Sequence, residues 1–205
     1  EHNPSYHLLR QLKLQKQVDF LDTHSDFSMC FHKSVVLRET NNVNKSYEKL
    51  YNHLEEREYY GEEILRKWTI PTASVVYRNG VFIPYDKRFI YGDIILFLSC
   101  IEAGRIFCLN DAMSVYRRHE GGVSYKRMHF KKYMELYDAI IEHFGVKYER
   151  IIYELKILNY VKCFIGSRND INYIKEIMKD VYCNKCIMPF TKYLIRSISL
   201  ALFEK

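Results

Sequence analysis

The run Ile94-Ile-Leu-Phe-Leu-Ser-Cys-Ile-Glu-Ala103 carries a single charged side chain, Glu102. Asp93 precedes it and Gly104 follows it, a helix start and a helix stop. A helix that is apolar nearly all round has no face to give to water and must be covered on every side. The segments available to cover it have strand periodicity. Phe27-Ser-Met-Cys-Phe-His-Lys33 puts large apolar side chains at 27, 29 and 31, and Val35, Val36 and Leu37 extend the run. Thr72-Ala-Ser-Val-Val-Tyr-Arg78 is rich in β-branched residues and closes on Asn79-Gly80, so it reads as a buried strand. Arg105–Leu109 and Met113–Arg117 read as two further short strands. A buried helix among strands defines an α/β fold.

Other segments read as helix. In residues 8–22, Leu14, Val18 and Leu21 recur at helical spacing, with Lys13, Lys16 and Asp19 on other faces. Gly61–Lys67 is a short helix, stopped by Pro71. Residues 38–60 read as a polar excursion with a short stretch of helix. From about residue 126 the pattern is wholly helical, in four segments broken near Gly145, Gly166 and Pro189. The 205 residues therefore divide into a sheet-bearing portion, 1–125, and an all-helical extension, 126–205.

Charge follows the same seam. Residues 1–124 hold 16 Lys/Arg and 16 Asp/Glu, whereas residues 125–205 hold 15 and 9, so the net +6 belongs to the tail. A basic tail can meet nucleic acid or an anionic membrane. With 18 tyrosines the composition suits single-strand binding, but no RRM, KH or helix-turn-helix signature accompanies it, and no nucleic-acid partner is expected. Residues 189–203 set Phe190, Tyr193, Leu194, Ile198, Leu202 and Phe203 among Lys192 and Arg196. Such a helix either lies on an anionic bilayer surface or packs on the other helices of the tail. No charged-then-apolar leader is visible, and the apolar runs fall short of the roughly 20 residues a bilayer span needs. The expected location is cytoplasmic, at most peripheral at the inner membrane. Of the six cysteines, Cys183-Asn-Lys-Cys186 forms a lone C-x-x-C. Zinc wants four ligands, no second pair exists, and the helical context does not suit a redox pair, so the spacing reads as coincidence.

Five segments, in order, resemble family 2 glycosyltransferases of the GT-A type. Leu12-Lys-Leu-Gln-Lys-Gln-Val-Asp-Phe-Leu21 is similar to the helix after the family's donor metal motif, and Phe27–His32 to the next strand. Trp68-Thr-Ile-Pro-Thr-Ala-Ser-Val-Val-Tyr-Arg78 resembles the central acceptor-side strand. Tyr91-Gly-Asp93 resembles the base motif, more often Glu-Asp, and Tyr116-Arg-Arg-His119 through Ser124 resembles the terminal Tyr-Arg-x-His…Ser element. The resemblance spans residues 12–124. It implies a partial GT-A-like mixed sheet with the helical extension after it. It also implies inverting transfer of a sugar from a nucleotide-sugar to a saccharide or lipid-linked acceptor, as in bacterial cell-surface polysaccharide biosynthesis, with Mn²⁺ or Mg²⁺ as cofactor. The sequence departs from the family in holding no Asp-x-Asp, and Asn3–Gln11 stands where Asp-Asp-Tyr-Trp-x-Asp-Pro is usual. The expectation is that the nucleotide-binding half is missing and that this chain alone does not bind the metal.

Residue by residue, the resemblance makes Asp93 the general base on the acceptor hydroxyl. An aspartate before an apolar helix is equally an N-cap, and the roles are compatible. His119 becomes the metal ligand, or else a loop histidine bonded to backbone. Strand alternation puts Arg117 on the side of His119, facing diphosphate or simply solvent. Trp68 stacks on a sugar or base, or fills the edge of the core. Ser124 touches phosphate or caps the next helix. Asp93 and His119 are expected to converge on one cleft. The competing expectation is a non-catalytic remnant or interaction module whose nucleotide half comes from another chain. An incomplete sheet would leave an open edge, so homodimer pairing or cover by the tail is expected.

Overall fold

The structure, a computed structural model, describes residues 12–38, 46–48, 54–67, 70–118, 128–167 and 170–203. It divides into two compact units, Glu1–Tyr85 with Tyr91–Arg127, and Asp86–Ile90 with Met128–Lys205. The protein is mixed α/β with helices at its C-terminal end. Among the described residues no helix is long and apolar enough to cross a membrane.

The first unit runs α1 (Lys13–Thr23), β1 (Phe27–Arg38), β2 (Ser46–Glu48), β3 (Glu58–Tyr59), α2 (Gly61–Arg66), a 3₁₀ turn (Thr72–Ser74), β4 (Val76–Tyr77), α3 (Gly92–Ala103) and β5 (Arg105–Arg118). The sheet order is β2-β1-β5-β3, with β4 also on β1. β1 and β5 are parallel, and the remaining pairs are antiparallel. Parallel neighbours need a crossover, and α2, the turn, β4 and α3 supply it.

Both faces of the parallel pair are covered. Met29 and Phe31 of β1 and Ile106 and Cys108 of β5 pack with Ile64, Phe97 and Cys100 of α2 and α3. Cys30, Phe27 and Phe107 pack against Phe20 and Leu21 of α1. Met29, Cys30 and Phe31 enter alternate layers, while a register shift between Phe27 and Met29 turns Phe27 to the α1 side, away from Met29 and Phe31, so Phe27–His32 is buried without a break. Each large apolar side chain enclosed this way contributes about 1.5–3 kcal/mol. Ile94, Ile95, Phe97, Leu98, Ser99 and Cys100 of α3 are all buried, as the apolar run requires. At the end of α3, Gly104 has extended backbone, and a Cβ there would stand 2.9 Å from the Asp26 carbonyl oxygen and 3.2 Å from Ser28. Closeness of approach, not a left-handed turn, selects this glycine. The Ser28 hydroxyl, donating to the Cys100 carbonyl at 2.6 Å, ties the same helix end to β1.

Four sequence expectations change. In α1 the enclosed residues are Gln17 and Leu21, while Leu14 and Val18 face outward. The helix is turned because the Gln17 amide donates to the Ser74 carbonyl at 2.8 Å and to the Cys30 carbonyl at 3.3 Å. Thr72–Ser74 is a turn and not the start of a strand, because the Ser74 hydroxyl and amide both donate back to the Pro71 carbonyl, at 2.6 and 2.8 Å. Arg105–Leu109 and Met113–Arg117 are one strand. A bulge joins them: Leu109 faces His32, Ala112 faces Lys33 and Ser114 faces Ser34, so three residues of β5 are unmatched. Asp93 is the second residue of α3, whose N-cap is Tyr91, so it is not the cap itself.

The second unit holds α4 (Phe130–Phe144), a 3₁₀ turn (Val146–Tyr148), α5 (Glu149–Gly166), α6 (Ile171–Cys183) and α7 (Ile187–Phe203). Gly145, at φ 88°, ends α4 in a conformation glycine adopts freely. Pro189 does not break a helix. It occupies the first turn of α7, where its missing N–H is not needed. The break falls at Asn184–Cys186. Lys185 takes φ 54° and donates to the Tyr182 carbonyl at 3.0 Å, while Cys186 donates to the Val181 carbonyl at 2.9 Å. This is a Schellman stop, with Cys186 buried as its apolar contact. The C-x-x-C spacing is thereby accounted for by helix termination. Phe130, Met134, Ile157, Tyr160, Val161, Ile177, Val181, Cys186 and Phe190 form the core. Residues 86–90 are held to α4 by Arg88, which donates to Asp86 at 2.6 Å and to Glu142 at 3.0 Å. Hydrogen bonds from Arg88, then the contact with His143, keep the Asp86 carboxyl well below the usual range.

Candidate functional site

The first unit gathers its polar chemistry at the middle of the β1–β5 pair and at the start of α3. Asp93 is half-buried in the first turn of α3. One carboxylate oxygen accepts from the Ile94 amide at 3.0 Å, the other from the Thr72 hydroxyl at 3.1 Å. The positive end of the helix is a favourable place for this charge. Thr72 is exposed and owes its position to the 3₁₀ turn that Pro71 opens. The turn is in turn held by α1: Lys13 donates to the Ala73 carbonyl and Gln17 to the Ser74 carbonyl. A chain of contacts thus runs from α1, through the turn, to the carboxylate.

The bulge lies on the neighbouring strands. Its unmatched residues present Asp111 to Lys16 at 2.8 Å and Asn110 to Lys33. Opposite it stands His32, fully enclosed. The His32 Nδ1 hydrogen is donated to the Lys33 carbonyl at 2.7 Å, with the Met113 amide 3.4 Å from the same nitrogen. Nε2 is then an enclosed lone pair, and it has no hydrogen-bond partner among the described residues. Burial pushes the His32 pKa down to about 4, against the pull of the Lys33 carbonyl; the Lys13 charge lowers it further and Asp111 raises it. The imidazole is neutral throughout the physiological range. Nothing in the sequence marked His32, Thr72 or Gln17. Each acts through a partner distant in the chain, and periodicity carries no signal of that.

Of the residues singled out from sequence, Asp93 is placed as described. Arg117 belongs to β5, in register with Leu37; its side chain lies outside the described residues. Trp68, His119 and Ser124 lie outside them altogether, and so does the expected convergence of Asp93 with His119. Among the described residues no three His, Cys, Asp or Glu side chains form a group that could hold a metal.

The fold and this site define a mixed α/β protein with a half-buried aspartate at a helix start beside a bulged parallel strand pair. Comparison with known proteins adds relatives but no activity. The uncharacterized protein Rv1520 of Mycobacterium tuberculosis (strain ATCC 25618 / H37Rv) is 34% identical over 115 residues, which are 55% of this chain and 32% of that protein. The uncharacterized protein Mb1547 of Mycobacterium bovis (strain ATCC BAA-935 / AF2122/97) matches with the same identity and coverage. The match thus spans about a third of the length of these curated relatives. No family model matches the chain, and no solved structure does.

Proposed function

We propose that this chain is the acceptor side of an inverting, GT-A-like sugar transferase, with Asp93 as its general base. The observation that carries the reading is the carboxylate at the start of α3. It is half-buried, fixed by Thr72 and the Ile94 amide, and each of its oxygens keeps a second lone pair for an incoming hydroxyl. The order of the Tyr91-Gly-Asp93 and Tyr116-Arg-Arg-His119 segments around β5 supports it from the sequence side.

In this mechanism a hydroxyl of the saccharide or lipid-linked acceptor donates its hydrogen bond to Asp93. Asp93 takes the proton as the acceptor oxygen bonds to the anomeric carbon. The bond from that carbon to the nucleotide diphosphate breaks, the electron pair leaves with the phosphate oxygen, and the sugar configuration inverts. Thr72 fixes the carboxylate and so acts as a positioning residue. The divalent cation that the resemblance implies finds no ligand set among the described residues, and no step here is routed through it.

Nucleotide release from UDP- and GDP-sugars, with saccharide or lipid-linked acceptors and Mn²⁺ present, tests this in a full-length form that carries a nucleotide-binding half. Asp93→Asn should lower transfer about 10²–10⁴-fold with little change in nucleotide-sugar KM. Transfer near the wild-type rate in Asp93→Asn removes the base assignment. Calorimetry that detects no nucleotide-sugar binding at millimolar ligand removes the autonomous-enzyme reading and favours an interaction module.

A further inference from the structure

The second unit buries one face of α7 and leaves the other open. Phe190 is enclosed in the core, with Tyr193 and Leu194 packed against it. On the opposite side Met188 is 83% exposed and Ile195 67% exposed, and with Pro189, Thr191 and Lys192 they line a shallow cleft. The outward face of α6 has the same character. Ile171, Met178 and Tyr182, the last 71% exposed, alternate with exposed Lys175 and Lys179. Lys185 lies in the turn between the two helices.

The outward charges of the two helices are predominantly positive. α7 contains Lys192 and Arg196 and no acidic residue. The acids of α6 are engaged with their own unit. Glu176 pairs with Lys131 and His129, and Asp180 accepts from the Tyr160 hydroxyl. Asp170, at the start of α6, caps the helix through the Tyr173 amide at 3.0 Å. What remains outward is lysine set among large apolar side chains.

We infer that the outer faces of α6 and α7 dock on an anionic lipid surface. Met188 and Ile195 enter the boundary between headgroups and acyl chains, while Lys185 and Lys192 meet the lipid phosphates. A nucleic acid would satisfy the lysines and leave Met188, Ile195 and Tyr182 in water. A neutral protein surface would satisfy the apolar groups and leave the lysines without counter-charge. The inference stands on this unit alone and does not depend on the transferase proposal.

Sedimentation of the full chain with vesicles tests it, using phosphatidylcholine alone and phosphatidylcholine mixed with phosphatidylserine. Binding should require the anionic lipid and weaken as salt is raised. Met188→Asp and Ile195→Asp should each weaken partition about tenfold, because each moves a charge into the apolar boundary. Lys192→Ala should weaken it about fivefold. All three positions are exposed, so circular dichroism and melting should match wild type. Phe82→Asp, which alters an exposed aromatic of the other unit, should bind vesicles as wild type does. Equal binding to neutral vesicles, no binding at all, or full binding by Met188→Asp would overturn the inference. So would a solution dimer that Ile195→Asp dissociates in a chain that ignores vesicles, an outcome that assigns the face to a second copy.

Discussion

The two units solve the same burial problem with different materials. Tyrosine and cysteine aside, every enclosed polar side chain among the described residues belongs to the first unit: Gln17, Ser28, His32, Ser34, Ser74 and Ser99. The core of the second is aliphatic and aromatic, with its ion pairs at the rim. A parallel strand pair covered on both faces has bulges and carbonyls inside that need partners: Gln17 donates to the Cys30 carbonyl of β1 and Ser28 to the Arg105 carbonyl of β5. A helix satisfies its own backbone and needs only apolar contact. The first unit therefore carries conformational detail, and with it the candidate chemistry, while the second carries packing and an outer surface.

That contrast can be broken, beginning with packing. Phe130→Ala should cost the helical unit about 3–5 kcal/mol by removing a fully enclosed ring from the contacts of Tyr160 and Tyr173. Chemical denaturation followed by tyrosine fluorescence would register it, and a cost under about 1 kcal/mol would mean the core is looser than described.

The next effect belongs to the first unit and depends on pH. His32 has a folded pKa of about 4, below its usual 6.5, so the unfolded chain binds the proton more readily. Its contribution is complete above pH 6.5 and is lost progressively as pH falls towards 4. By linkage the loss amounts to roughly 3 kcal/mol at the acid end of that window. Stability measured against pH should slope across this window in wild type and flatten in His32→Gln. An unchanged slope would place the histidine in water.

The smallest effect returns to the helical unit. Lys185 holds φ 54° at the α6–α7 stop, a conformation that costs an ordinary residue about 1 kcal/mol and glycine little. Lys185→Gly should raise stability by somewhat less than that in melting experiments, since glycine also loosens the unfolded chain. A fall would show that the lysine side chain contributes more than its backbone costs.

How much was legible beforehand differs between the same two regions. In the tail, periodicity and Gly145 place the helices closely; Pro189 stands in the first turn of a helix instead of breaking one, and Cys183–Cys186 straddles a helix stop instead of lying within a helix. In the sheet unit, β1 and the buried α3 followed from local pattern, but the joining of β5 through its bulge did not. Asp93 could be singled out from sequence, and its Thr72 partner could not, because that contact depends on a turn held by Gln17 from another element.

The amino-acid order alone determined that Ile94–Cys100 must be largely enclosed, that Phe27–His32 must be extended, and that helices follow. A residue's hydrophobicity and its spacing from near neighbours suffice for that. Tertiary structure decided that Gln17 and not Leu14 faces inward, that Thr72–Ser74 turns, and that His32 is sealed and neutral. Each of those outcomes was set by a hydrogen bond or by desolvation involving groups far apart along the chain, and such energies exist only once the elements have come together.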